Sequence, residues 1–111
     1  MSLRKEKFYS LVARKGKCVV EKHEGYADNK WQYYKGREDG EGRYVWYAID
    51  PMTGLALCSG DTRADVVNKA NDEKTIRTFN KLTETNDYTT MVNIWYHAQV
   101  DAGLIMENPI R

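Results

Sequence analysis

The spacing of apolar residues changes at Gly60, from every second position before it to every third or fourth position after it. A period of two is typical of β-strands, and a period near 3.6 is typical of α-helices. Residues 43–49 are a β-branched and aromatic run, residues 55–58 are a second apolar run, and a turn sequence separates them: Asp50-Pro51-Met52-Thr53-Gly54. We therefore predict a β-hairpin over residues 43–59.

The N-terminal segment is compatible with two local structures. Residues 7–13 fit a helix that Ser2 caps and Gly16 ends, and they also fit a strand that pairs with residues 17–23 around Lys15-Gly16. The apolar runs have the length of strands, which favours the hairpin and leaves the helix open. Downstream, we expect a loop over residues 24–29, a third strand over residues 30–35 and a polar, glycine-rich loop over residues 36–42.

Helical spacing follows Gly60-Asp61 and continues to residue 102. Thr62 is predicted to cap the first helix by accepting from the backbone N–H of Asp65. Breaks at residues 71–72 and 86–87 predict three helices, although the first two are also compatible with one bent helix. The last helix is predicted to be capped by Asp87 and ended by Gly103, and the apolar residues 104–106 are predicted to dock back on the domain.

The element order predicts an α+β fold in one domain over residues 1–111. We expect an antiparallel sheet of four to five strands, followed by two to three helices packed on one face. A chain of 111 residues is long enough for one compact core. The other face of the sheet is expected to meet solvent or a partner.

Charge is distributed unevenly along a chain whose net charge is only +1. Residues 1–22 carry seven basic and two acidic side chains, while the remainder has an acidic excess of four. A basic N-terminal segment can contact phosphates, yet the near-neutral total is unlike that of most nucleic-acid-binding domains. The chain contains neither an apolar run long enough to span a membrane nor a signal-peptide pattern, so we expect a cytoplasmic protein without membrane contact.

Aromatic residues provide the strongest indication of function. Seven of the thirteen fall between positions 26 and 47, and strand alternation sends them to both faces of the sheet. If helices cover one face, the other keeps exposed rings for a partner. The alternative is that the rings pair across strands within the core. The predicted binding residues are Trp31, Tyr33, Trp46 and Tyr47 in the sheet, with Arg14, Lys15 and Lys17 in the basic segment.

No pattern in the sequence predicts catalysis. Cys18, His23, Cys58 and His97 lack the close spacing of metal-binding motifs, and no spacing joins a thiol to a histidine as nucleophile and base. The glycines of residues 36–42 match no phosphate-binding motif. We expect no metal, no cofactor and no enzymatic activity, and we expect both thiols to be buried or half-buried.

One segment resembles part of a known family. Gly60-Asp61-Thr62-Arg63-Ala64-Asp65-Val66-Val67, with the preceding strand, turn and strand, is similar to the corresponding unit of HicB-like antitoxins. The resemblance covers about a quarter of the chain. It implies an antitoxin that neutralises an RNA-cleaving toxin.

The sequence as a whole predicts a small binding domain without enzymatic activity. The expected partner is another protein or a second copy of the chain, held through the aromatic-rich sheet. The alternatives are binding of single-stranded nucleic acid through the same sheet and the basic N-terminal segment, or the antitoxin function.

Overall fold

The structure is a computed structural model that describes residues 2–38 and 42–105. It confirms the predicted α+β fold: a five-stranded antiparallel sheet in the order β1-β2-β3-β4-β5 precedes three helices. The strands are β1 (Arg4–Arg14), β2 (Lys17–Ala27), β3 (Gln32–Arg37), β4 (Tyr44–Asp50) and β5 (Leu55–Gly60). The helices are α1 (Arg63–Ala70), α2 (Glu73–Thr83) and α3 (Asn86–Asp101).

The N-terminal segment is a long β-hairpin, so the helical alternative is wrong. Lys15 and Gly16 form its turn with φ values of 51° and 78°, and two positive φ values match the twist of a tight hairpin. The expected loop over residues 24–29 is also wrong in part, because β2 continues to Ala27 by pairing with the start of β1. Gly25 allows β3 to approach β2 closely at this point, since a Cβ there would collide with the carbonyl oxygen of Tyr33.

The β1–β2 hairpin folds back over one face of the rest of the sheet, which makes this face curled. β2 pairs with β3 only at Tyr26 and Ala27, so the rest of the β1–β2 hairpin is free to leave the plane of β3 and β4. The backbone N–H of Leu11 in β1 donates to the carbonyl oxygen of Gly54, beside β5, at 2.8 Å. Phe8 of this hairpin packs in a buried cluster with Tyr34 and Ile49. The expectation that this face meets solvent or a partner is therefore wrong.

The opposite face of β3–β5 packs against α1 and α2. Val66 and Ala70 of α1 join Tyr33 and Ala48 in the main buried cluster, together with Trp31 from the β2–β3 loop. The predicted cap of α1 is confirmed, with the backbone N–H of Asp65 donating to Thr62 Oγ1 at 3.1 Å. α2 adds Phe79, whose ring meets the Trp31 ring edge to face at 4.8 Å.

The β4–β5 turn anchors α3. The indole N–H of Trp95 donates to the carbonyl oxygen of Pro51 at 3.2 Å, and the Tyr88 hydroxyl donates to Asp50 Oδ2 at 2.7 Å. Thr85 caps this helix instead of Asp87, because its Oγ1 accepts from the backbone N–H of Tyr88.

The remaining predicted boundaries hold in part. The two breaks between helices occur at residues 71–72 and 84–85. Leu104 is half-buried and Ile105 is 37% exposed, while Met106 of the predicted docking segment lies outside the described residues. In the predicted loop over residues 36–42, Gly36 and Arg37 belong to β3, and residues 39–41 lie outside the described part.

Among the described helices, none has the length and apolarity to cross a bilayer.

Candidate binding surface on the sheet

Two of the four predicted binding rings belong to the core. Trp31 is 4% exposed and Tyr33 is fully buried, so the expectation that they form an exposed surface is corrected. Tyr33 points to the face that α1 covers, and Trp31 lies against Phe79 of α2. Trp46 and Tyr47 are half-buried. As neighbours in β4, they point to opposite faces of the sheet.

A buried carboxylate explains how Tyr33 is held. Burial alone raises the pKa of Asp28, but hydrogen bonds from the Tyr33 hydroxyl, two backbone N–H groups and the Asn71 amide outweigh it and lower the pKa below its usual value. The backbone donors belong to Lys30 and Trp31 and each lies 2.8 Å from Oδ1. Burial and the neighbouring carboxylate raise the pKa of Tyr33. This network connects the β2–β3 loop, β3 and α1, so it serves the fold.

Three other aromatic side chains remain on the helix-facing side of the sheet. They are Tyr26, Tyr44 and Trp46, which we call the aromatic patch. Tyr44 is 55% exposed, and the other two are half-buried. The Tyr26 and Trp46 rings lie 6.2 Å apart between centroids. The patch therefore extends from the end of β2 to the start of β4, next to the N-terminus of α1.

Cationic side chains alternate with these rings. In the β3–β4 register, Lys35 lies opposite Trp46, and Arg37 lies opposite Tyr44. The Arg37 guanidinium lies 4.7 Å from the centroid of the Tyr44 ring, and the Lys35 ammonium lies 5.7 Å from it. The Arg37 guanidinium lowers the pKa of Tyr44. At the other end of the patch, the Arg63 guanidinium lies 4.3 Å from the centroid of Tyr26.

A fourth nearby cation has its charge balanced by acidic neighbours. Arg43 forms ion pairs with Glu38 at 3.0 Å and with Asp61 at 3.2 Å. Both carboxylates help to raise the pKa of Arg43, the hydrogen bond to Glu38 most of all. We therefore do not count Arg43 among the cations of the aromatic patch.

The basic hairpin tip lies far from the aromatic patch. Arg14 and Lys17 face each other beside the turn residue Lys15, whereas Tyr26 stands at the other end of the same hairpin. Eight residues of strand lie between Lys17 and Tyr26, and the span is roughly 30 Å. Arg14 is also engaged by Glu21, with its guanidinium 2.9 Å from Oε1. The structure thus does not bring the predicted basic residues to the exposed rings.

Arg14 and one predicted ring, Tyr47, line the same cleft on the curled face. A cleft of about 250 Å³ between the hairpin and β4–β5 is lined by Arg14, Tyr47 and Arg37, among others. Within the hairpin, Ser10 Oγ of β1 and His23 Nε2 of β2 lie 2.6 Å apart. The His23 ring stacks on the Tyr34 ring of β3, with the two centroids 3.6 Å apart. Burial lowers the pKa of His23, which favours the neutral imidazole; Glu21 opposes this shift, and Arg14 adds to it.

The two thiols differ in exposure. Cys18 is exposed, which corrects the expected burial of both thiols, while Cys58 is half-buried and both are free. Burial raises the pKa of the Cys58 thiol, which reduces its thiolate fraction and therefore its reactivity. Within residues 2–38 and 42–105, no three metal-ligating side chains are close enough to hold an ion.

The sequence contained a signal for residues that were not predicted. Tyr26, Tyr44, Lys35, Arg37 and Arg63 all contribute to the aromatic patch, and none was among the predicted binding residues. The alternation of Lys35 and Arg37 along β3 places both on the face of Tyr33. Which residues of β4 lie opposite them, Trp46 and Tyr44 in the structure, depends on the β3–β4 register. The sequence does not determine this register, because it does not show where the loop between the two strands begins and ends.

No family model, curated protein or solved structure matches the chain. The strand, turn, strand and capped helix of the segment that resembles HicB-like antitoxins are present as β4, β5 and α1. The antitoxin function that the resemblance implies stays a prediction.

Proposed function

We propose that this protein is a binding domain without enzymatic activity, and that its aromatic patch binds single-stranded nucleic acid. The observation that carries the proposal is the alternation of rings and cations: Arg37 over Tyr44 at 4.7 Å and Arg63 over Tyr26 at 4.3 Å, on one face of the sheet. Proteins that bind single strands combine aromatic side chains, on which bases stack, with cations that follow the phosphates.

A single strand suits this surface better than a duplex, because its bases are free to stack on protein rings. Tyr44 is the most accessible ring, at 55% exposure. Lys35 and Arg37 are exposed beside it, and Arg63 is exposed beside Tyr26. The net charge of the chain is only +1. A short bound strand would contact only the aromatic patch, so the local positive charge beside the rings matters more for binding than the total charge.

Equilibrium binding of a fluorescein-labelled oligouridylate, followed by anisotropy, tests the proposal. Removing the most exposed ring with Tyr44→Ala should weaken binding about tenfold, the value of one stacked base. Tyr9→Ala is the matched control, because Tyr9 is a partly exposed tyrosine of β1 that lies outside the aromatic patch. The proposal fails if the wild-type protein does not bind, or if both variants lose affinity equally.

A second candidate function is binding of a protein partner or a second copy of the chain. Its supporting observation is the apolar surface of the helical side, where Ile94 of α3 is 52% exposed and Leu82 of α2 is 38% exposed. Sedimentation velocity over a range of protein concentrations tests self-association. A mass that rises with concentration in the wild type but stays monomeric in Ile94→Glu supports this candidate, and a concentration-independent monomer excludes the second copy.

A further inference from the structure

The backbone of the β1–β2 hairpin is attached to the rest of the sheet at its two ends. At the open end of the hairpin, Tyr26 and Ala27 pair with β3. Toward the tip, the Leu11 N–H donates to the carbonyl oxygen of Gly54, the one backbone hydrogen bond from this part of the hairpin to the β4–β5 turn among the described residues. Between these two attachments, side chains hold the hairpin to the curled face.

The side chains that make this contact form a small buried cluster. Ser10 of β1 and His23 of β2 are both buried, and Ser10 Oγ lies 2.6 Å from His23 Nε2. The His23 ring is nearly parallel to the Tyr34 ring of β3, with an interplanar angle of 13°. The centroid of the Phe8 ring lies 5.5 Å from that of His23 and 6.1 Å from that of Tyr34. His23 therefore joins both strands of the hairpin to β3.

The groups around His23 suit a neutral ring. Glu21 of β2 favours the imidazolium, but Arg14 of β1 opposes it, and these two side chains form an ion pair at 2.9 Å. The neighbours from β3 and β4 are two phenols, Tyr34 and Tyr47, whose ring centroids lie 5.4 Å apart. Burial raises the pKa of Tyr34 and lowers the pKa of His23. The closed hairpin therefore keeps an uncharged imidazole against an uncharged phenol.

A state in which His23 meets water binds a proton more tightly than this closed state, because water solvates the imidazolium. Acid therefore favours such a state. Release of the hairpin from the curled face is sufficient to reach it, since the Leu11 hydrogen bond and the His23 cluster are the contacts that must break. The pairing of β1 with β2 and the packing of α1 on the opposite face remain intact in the released state.

From these observations, we infer that the β1–β2 hairpin is a pH-sensitive flap, which protonation of His23 releases from the curled face. Tyr26 and Ala27 keep the flap attached to β3 after release. The change uncovers the Tyr34 ring, on which His23 and Phe8 pack in the closed state. The inference does not rest on nucleic-acid binding, because the aromatic patch lies on the opposite face of the sheet.

Amide hydrogen exchange of the wild-type protein, followed by NMR between about pH 7.5 and pH 5.5, tests this inference. Each exchange rate is divided by the rate of an unstructured peptide at the same pH, which gives an opening constant. The Leu11 amide reports on the flap, and the Val66 amide, which donates to the Thr62 carbonyl oxygen at 3.1 Å, reports on the opposite face. The opening constant of Leu11 should exceed that of Val66 at every pH and should rise about tenfold over this range.

Two variants identify the group that titrates, since the chain has only two histidines. His23→Gln retains hydrogen-bonding groups beside Ser10 but does not titrate, so the opening constant of Leu11 should no longer depend on pH. His97→Gln, at an exposed position of α3, should behave like the wild type.

Three results would overturn the inference. The first is an opening constant of Leu11 that does not change with pH in the wild type. The second is an equal rise in His23→Gln. The third is an opening constant that is the same for Leu11 and Val66, because the hairpin would then open only when the whole domain unfolds. The first and third results come from the wild type, so the test holds even if His23→Gln does not fold.

Discussion

The guanidinium of Arg63, the first residue of α1, lies 4.3 Å from the ring centroid of Tyr26 at the end of β2. This contact joins the helical layer to the sheet at the edge of the aromatic patch. It depends on the position at which α1 begins, which Thr62 determines by capping the helix. The N-cap therefore contributes both to stability and to the placement of a cation on the surface.

Replacing Thr62 with Ala should destabilise the protein by about 1 kcal/mol, because the backbone N–H of Asp65 loses its acceptor. Thr62→Ser retains a hydroxyl and is the matched control. Chemical denaturation measures the change. Equal stability of the alanine variant and the wild type would show that the cap contributes nothing.

Gly54 should be much less tolerant of substitution than Gly16, although both have positive φ. A Cβ at Gly54 would lie 2.6 Å from the Trp95 ring, whereas a Cβ at Gly16 has nothing within 4 Å. Gly54→Ala combines backbone strain with overpacking and should cost about 2 to 4 kcal/mol. Gly16→Ala carries the strain alone and should cost about 1 to 2 kcal/mol. Denaturation of both variants gives the comparison, and similar losses would contradict the packing of α3 on this turn.

Truncation of Trp31 should lower the folding stability strongly, whereas truncation of Tyr44 should hardly change it. Trp31→Ala removes a buried ring and should lose about 3 to 5 kcal/mol of folding stability. Tyr44→Ala removes a ring that is 55% exposed and should change stability by less than about 0.5 kcal/mol. If Trp31→Ala were as stable as the wild type, the assignment of Trp31 to the core would be wrong.

The local elements were predictable because their signals are close together in the sequence. The Lys15-Gly16 turn, the hairpin of residues 43–59 and the Thr62 cap each depend on a few adjacent residues, and the structure contains all three. The curl of the sheet was not predictable in this way. It arises because β2 pairs with β3 only at Tyr26 and Ala27. Gly25 stands next to this pair, but a glycine in a strand does not by itself show that the pairing ends there.

The binding surface was predicted incompletely for the same reason. Strand alternation placed rings on both faces, but which rings are buried depends on distant elements: Phe79 of α2 covers Trp31, and the N-terminal hairpin covers Tyr34. Trp46 was among the predicted residues and belongs to the aromatic patch. The basic hairpin tip was expected to act with the rings, but the length of the hairpin separates it from the aromatic patch, and only Arg14 shares a cleft with a predicted ring, Tyr47.

Stability should fall as the solution is acidified through the range where histidine titrates. His23 has a lowered pKa in the folded protein, so the unfolded chain takes up the proton first. The contribution of His23 to the free energy of unfolding is fully present above its pKa in the unfolded chain, about 6.5. It is lost as pH falls toward the lower pKa of His23 in the folded protein, and the free energy of unfolding then changes by up to about 1.4 kcal/mol per pH unit.

Chemical denaturation between about pH 7.5 and pH 5 measures this dependence. His23→Gln removes the titrating ring and should flatten the curve, while His97→Gln, at an exposed position of α3, should retain it. A curve of unchanged slope in His23→Gln would contradict a buried neutral His23.

The salt dependence of oligouridylate binding tests the central claim most directly. With Lys35, Arg37 and Arg63 each meeting one phosphate, the logarithm of the association constant should fall against the logarithm of salt concentration with a slope of about −2. In Arg37→Gln, the slope should become shallower by about 0.7. Binding that is absent at low salt, or whose slope is the same in the wild type and Arg37→Gln, would contradict the account.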